Sequence, residues 1–122
     1  ARTLTNILKG VVTDGTGKAA AVVGFEVAGK TGTSQKLERA TGRYSRQKVV
    51  ASFVGFVPAE QPRLAIIVVI DEPRILQWGG SIAAPTFREI ARESLKYLRI
   101  SPAAGGPFRL AEGMLGAASR LN

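Results

Sequence analysis

Two apolar runs separated by six residues constrain this chain more than any other feature. Residues 48–57, KVVASFVGFV, and residues 64–70, LAIIVVI, are rich in valine, isoleucine and phenylalanine and lack a helical period, so both read as β-strands. Between them stands PAEQP, residues 58–62, a tight turn with proline at each end. Parallel neighbours need a crossover of roughly a dozen residues or more. The two strands therefore form an antiparallel hairpin. The second strand is almost continuously apolar, which predicts burial on both faces in the middle of a sheet.

The hairpin is flanked by helical patterns. Residues 3–12, TLTNILKGVV, set Leu4, Ile7, Leu8, Val11 and Val12 on one face of a helix. TDGTGK, residues 13–18, ends it with turn-forming residues. Residues 26–34 read as a further strand and residues 35–47 as a polar loop. After the hairpin, DEPRILQWGG reads as a loop. Residues 81–100 read as a helix capped by Ser81, with Pro85 near the first turn. Its apolar stripe is Ala84, Phe87, Ile90, Ala91, Leu95 and Leu98, with Arg88, Glu89, Arg92 and Lys96 opposite. PAAGGP, residues 102–107, breaks the pattern. The chain thus divides into a folded part, residues 1–101, and a flexible tail, residues 102–122, with the pattern of a short amphipathic helix.

Composition removes several kinds of chemistry. The 122 residues make one small domain and include no cysteine and no histidine. The usual zinc sites, Ser-His-Asp and Cys-His catalysis and thiol redox chemistry are therefore excluded within the chain. Proton transfer would fall to lysine, aspartate, glutamate or tyrosine. No apolar run is long enough to span a membrane. The net charge of +8 would suit an anionic partner, but the basic residues are scattered and the densest stretch, KLERATGRYSRQK, reads as a solvated loop. Nucleic acid is not an expected partner. The chain opens on ARTLTNILKG, already helical in pattern, and reads as a piece of something longer.

Lys30 belongs to two overlapping motifs. Gly24, Gly29, Lys30 and Thr31 spell the phosphate-binding G-x-x-x-x-G-K-T, and LAIIVVIDE resembles the acidic strand of such enzymes, with Asp71 on magnesium and Glu72 activating water. Lys30, Thr31 and Gly32 equally spell K-T-G, a motif of penicillin-reactive serine enzymes. The antiparallel hairpin is foreign to the parallel sheet of a P-loop protein, and Gly32 falls where a helix would have to begin. A small nucleotide-binding protein, detectable by magnesium-dependent ATP binding, is the first alternative. A basic non-enzymatic binding module, detectable by salt-dependent DNA binding, is the second.

Longer stretches carry a resemblance. GVVTDGTGKAA, VAGKTGTSQK, the hairpin VVASFVGFVPAEQPRLAIIVVIDEP, WGGSIAAPTFREIARESLKYL and the terminal ISP follow one another across residues 3–102. In order and spacing they resemble class B penicillin-binding proteins, the D,D-transpeptidases that cross-link peptidoglycan. The resemblance is to the C-terminal portion of the transpeptidase domain and implies an α+β fold: a three-stranded antiparallel sheet flanked by helices. It implies serine acyl transfer on the D-Ala-D-Ala end of a stem peptide, with β-lactams as mimics and no metal or organic cofactor. It also implies division or elongation proteins as partners, and a location on the outer face of the cytoplasmic membrane through an anchor not in this chain.

Residue by residue, the resemblance gives Lys30 the role of meeting the substrate carboxylate and supporting proton transfer. Thr31 and Thr33 offer hydroxyls to that carboxylate. Gly32 lets the strand pass close to the reacting serine, and the Thr33 N–H becomes an oxyanion donor. The family's S-x-x-K and S-x-N motifs do not precede Lys30. Ser45-Arg46-Gln47-Lys48 matches S-x-x-K but follows K-T-G in a basic loop, so the chain supplies no nucleophile and is expected to be inactive alone. Trp78 is expected to pack, Glu26 and Lys36 to lie on the surface, and Asp71 and Glu72 to shape a turn. In the family the strand resembling residues 64–70 pairs with an upstream portion. Without it that edge is unpaired, and the chain is expected to self-associate there.

Overall fold

The computed structural model describes residues 1–75 and 78–102. Its centre is a three-stranded antiparallel sheet of β1 (Ala28–Glu38), β2 (Arg43–Val57) and β3 (Leu64–Asp71), in that spatial order. The register aligns Lys30 with Val54 and Ile67, Thr31 with Phe53 and Val68, and Gly32 with Ser52 and Val69. The PAEQP turn makes the short antiparallel connection expected of it. The Val57–Pro58 peptide is cis, and the Ala59 N–H donates to the Glu26 carbonyl at 2.8 Å.

Two expectations for the sheet are corrected. Residues 35–47 are not one loop: β1 and β2 extend through them as a second hairpin that turns at residues 39–42. Gly42 there has φ +66°, a left-handed conformation that costs glycine little. Most side chains of this ribbon face water, so no apolar alternation betrays it. The register also slips. Between the pairs Gln35–Val49 and Leu37–Tyr44, residues 45–48 of β2 stand opposite Lys36 alone. The second correction concerns β3. Among the described residues it is an edge strand, buried at Val68 but open on its other face, where Ile67 is 67% and Val69 59% exposed.

The covered face packs under α2 (Gly79–Tyr97). Phe87 sits on Phe53 with ring centroids 4.8 Å apart and planes tilted by 59°, a favourable aromatic geometry. Both rings are fully buried, each such burial being worth roughly 1.5–3 kcal/mol. Ala83, Ala84 and Ala91 bring the helix close, and Leu95 closes the far end over the core that includes Val57. The buried stripe is thus Ala83, Ala84, Phe87, Ala91 and Leu95, whereas the expected members Ile90 and Leu98 are partly exposed at its margins. The helix also begins earlier than its sequence suggests. Trp78 occupies the N-cap position, Ser81 makes no capping bond, and Pro85 lies inside the helix, where it forfeits the bond to the Ser81 carbonyl.

Helix α1 (Arg2–Thr13) lies against β1 and a single 3-10 turn, Lys18–Ala20. Val12 is buried, while Leu4 and Ile7 of the same apolar face are exposed. Lys9 pins α1 to the rest of the fold through Glu60 at 2.7 Å and Glu26 at 2.9 Å. Hydrogen bonding to Glu60, then to Glu26, raises the Lys9 pKa above its ordinary 10.5. The bond from Lys9 lowers that of Glu60 below 4.5. Both glutamates are exposed and Lys9 is half-buried, so solvent screens much of the attraction.

Candidate active-site wall along the first strand

Side chains alternate across a strand, so β1 sends Lys30 and Gly32 to one face and Thr31 and Thr33 to the other. Its outer edge carries no strand among the described residues. An edge strand of this kind points alternate N–H and C=O groups away from the sheet. K-T-G-T is therefore an accessible rim with polar side chains on both sides.

Lys30 is exposed and its ammonium donates to the Thr31 carbonyl at 3.0 Å, which leaves two of its three protons for other partners. On the opposite face, Thr33 Oγ1 accepts the Gly79 N–H at 3.1 Å. Thr31 Oγ1 stands 3.0 Å from Thr16 Oγ1. Both threonine rotamers are thus fixed by partners outside β1.

The glycines have steric causes. A Cβ at Gly32 would come within 2.6 Å of Ser52 Oγ, so neighbouring β2 already fills that space. A Cβ at Gly79 would stand 2.5 Å from the carbonyl oxygens of Gly32 and Ser52. The first turn of α2 therefore rests directly on the backbone of the K-T-G strand.

A cavity of about 430 Å³ opens beside these threonines, lined by Thr16, Lys18, Thr31, Thr33, Trp78 and Ser81 among others. Lys30 is not among its lining residues, because its side chain leaves from the other face of β1. Trp78 does not pack as expected: it is 69% exposed at the rim of this cavity. A tryptophan beside Gly-Gly carries no sequence signal that separates packing from exposure. Thr16 and Gly79 were likewise not legible as site residues, since their contacts with β1 exist only in the folded chain.

The other sequence candidates lie elsewhere. Gly29, Lys30 and Thr31 are in a β-strand, and no helix begins at Lys30, which removes the P-loop reading. Asp71 pairs with Val50, four positions along the sheet from the Lys30–Val54 pair. Its carboxylate binds the Lys36 ammonium at 2.6 Å, joined by Glu72 at 2.9 Å. These contacts, Asp71 first, raise the Lys36 pKa above 10.5. Ser45 is buried within β2, where its Oγ accepts the N–H groups of Gln47 at 3.2 Å and Lys48 at 3.0 Å. That hydroxyl is spent on the irregular stretch of β2.

Comparison with known proteins decides the family. The profile of the penicillin binding protein transpeptidase domain matches residues 1–92. The chain belongs to the penicillin-binding protein transpeptidase family. Over 96 residues it is 44% identical to stage V sporulation protein D of Bacillus subtilis, covering 78% of this chain and 15% of that protein. Over 104 residues it is 46% identical to the probable peptidoglycan D,D-transpeptidase PenA of Neisseria gonorrhoeae, covering 84% and 18%. The chain thus spans about a sixth of the length of these transpeptidase relatives.

The solved transpeptidases agree. Penicillin-binding protein 3 of Mycobacterium tuberculosis, complexed with ampicillin, superposes with a TM-score of 0.74 at 33% identity, over 87% of this chain and 26% of that one. The apo transpeptidase domain of Burkholderia pseudomallei penicillin-binding protein 3 gives 0.72 at 36% identity, over 82% and 30%. The α+β fold and the family implied by the sequence resemblance are both upheld.

Proposed function

We propose that β1 forms one wall of the site at which a peptidoglycan D,D-transpeptidase binds the carboxylate end of a stem peptide, and of a β-lactam in its place. The observation that carries this reading is the K-T-G-T run on the open edge of β1, with the Thr31 and Thr33 hydroxyls fixed by Thr16 and Gly79. Lys30 contributes positive charge to the carboxylate and favours proton transfer. Thr31 and Thr33 donate hydroxyl protons, and the Thr33 N–H steadies the oxyanion.

The reacting serine comes from outside this chain. Its oxygen attacks the penultimate D-alanine carbonyl, the peptide C–N bond breaks, and the terminal D-alanine leaves with the transferred proton. The amine of a second stem peptide then displaces the serine from the ester. An enzyme acting on stem peptides would work on the outer face of the cytoplasmic membrane, alongside division or elongation proteins. Among the described residues no helix is long and apolar enough to cross a membrane.

The test is the rate of acylation of the full-length gene product by a fluorescent penicillin. Lys30→Met should lower the second-order rate constant by roughly a hundredfold or more, the scale of losing one electrostatic stabiliser at such a site. An unchanged rate would remove Lys30 from the site. The 122-residue chain alone should show no stoichiometric acyl adduct in an intact-mass spectrum.

A further inference from the structure

We propose that Thr16 is a positioning residue for ligand recognition: its hydroxyl donates to Thr31 Oγ1 and so directs the Thr31 proton to the ligand carboxylate. The inference rests on the reading of Thr31 as a carboxylate-binding residue.

Thr16 is held in place by its surroundings. Gly15 N–H donates to the Gly10 carbonyl at 3.1 Å and Gly17 N–H to the Val11 carbonyl at 2.9 Å, which folds the turn back on the end of α1. A Cβ at Gly15 would stand 2.9 Å from the Val11 oxygen, and one at Gly17 would meet Phe53 at 3.2 Å. From the other side, a Cβ at Gly80 would come within 2.4 Å of the Thr16 carbonyl oxygen. The backbone of Thr16 is therefore wedged between the end of α1 and the start of α2. Its hydroxyl is delivered to Thr31, fifteen positions along the chain, at 3.0 Å.

The chemistry fixes a direction. Two hydroxyls that share one hydrogen bond can each be the donor, and nothing in the pair alone selects between them. A carboxylate is acceptor-only, so a carboxylate bound at Thr31 requires the Thr31 proton. The Thr16 proton must then fill the bond between the two threonines. Donation from Thr16 also polarises the Thr31 hydroxyl and strengthens its bond to the anion. Thr33 obtains the same result differently. The Gly79 N–H can only donate, so the Thr33 proton is already directed away from it. A backbone amide sets one hydroxyl and a second threonine sets the other, and all three threonines line one cavity.

The test compares a penicillin bearing its free carboxylate with the corresponding methyl ester, using acylation rate constants of the full-length gene product. The ratio of the two rates is the readout. Thr16→Val preserves shape and removes the proton, and it should lower the rate with the acid by roughly five- to tenfold while barely changing that with the ester. Thr16→Ser should restore the acid rate. Thr31→Val should show the same selectivity, and the double variant should be no worse than Thr31→Val. If Thr16→Val does not accumulate, Thr16→Ala carries the same comparison. Equal losses with acid and ester would make Thr16 merely structural and overturn the proposal. A selective Thr31→Val beside a silent Thr16→Val would overturn it too, leaving the carboxylate reading intact. A Thr31→Val variant without selectivity would remove that reading itself.

Discussion

On one face of the sheet, Phe53, Val57 and Val68 lie beneath Phe87 and Leu95 of α2, out of reach of water. On the other, Val54 stands opposite Ile67 with Val69 one step along, and each keeps half or more of its surface in solvent. The two sets alternate along the same strands and are equally apolar. What separates them is a covering element, present on one side and lacking among the described residues on the other. Apolar character says a face seeks burial, and only topology says whether this chain supplies it.

The comparison can be broken first at its covered side. Phe87→Ala should cost about 3–5 kcal/mol in urea unfolding, because it empties the space over Phe53. A loss below about 1 kcal/mol would mean that α2 is not the lid of the core. Gly79→Ala should cost about 1–3 kcal/mol, since the new methyl meets two backbone carbonyls that cannot rotate away. It should also loosen the amide bond to Thr33, visible as faster hydrogen exchange at Gly79.

The bare side should respond differently. Ile67→Lys should change unfolding free energy by no more than about 0.5 kcal/mol. Its effect should appear in light scattering. The parent chain is expected to self-associate through this face and the open β3 edge, and the added charge should shift it toward monomer. A parent that scatters as a clean monomer at high concentration would count against an adhesive face.

The smallest effect is electrostatic and acts on the rim of the fold. Lys9 and Lys36 have pKa values raised above 10.5, so their stabilisation is complete below that value and lost as the pH climbs through their folded pKa. Glu60 is lowered below 4.5, so its stabilisation is present above that value and lost as the pH falls through its folded pKa. Tm should be flat between these limits and decline gently beyond each. Added salt should shrink both declines, and a salt-insensitive fall at either end would point to some other group.

Much of this was legible in the sequence where the signal is local. The β2–β3 hairpin follows from two apolar runs and a turn too short for anything else. K-T-G is readable because neighbouring residues on one strand form it. The outer part of the β1–β2 hairpin escaped because residues 35–47 are largely polar and mostly wet, so they lack the alternation that marks a half-buried sheet. The apolar run of β3 does not reveal its edge position, because it looks the same whether or not its neighbour is supplied; only the family resemblance implied the unpaired edge. Thr16 escaped because its partnership with Thr31 depends on how the turn after α1 meets β1.

The contact of Gly79 with the backbone of β1 has a mechanical side. Where helices and sheets meet through long side chains, rotamer changes absorb small displacements. Here there is no cushion: peptide groups touch peptide groups. The 19 residues of α2 form a strut of about 28 Å, footed on the K-T-G strand and reaching Tyr97 at its other end. A push along that strut would bear on the carbonyls of Gly32 and Ser52 through peptide groups and not through side chains.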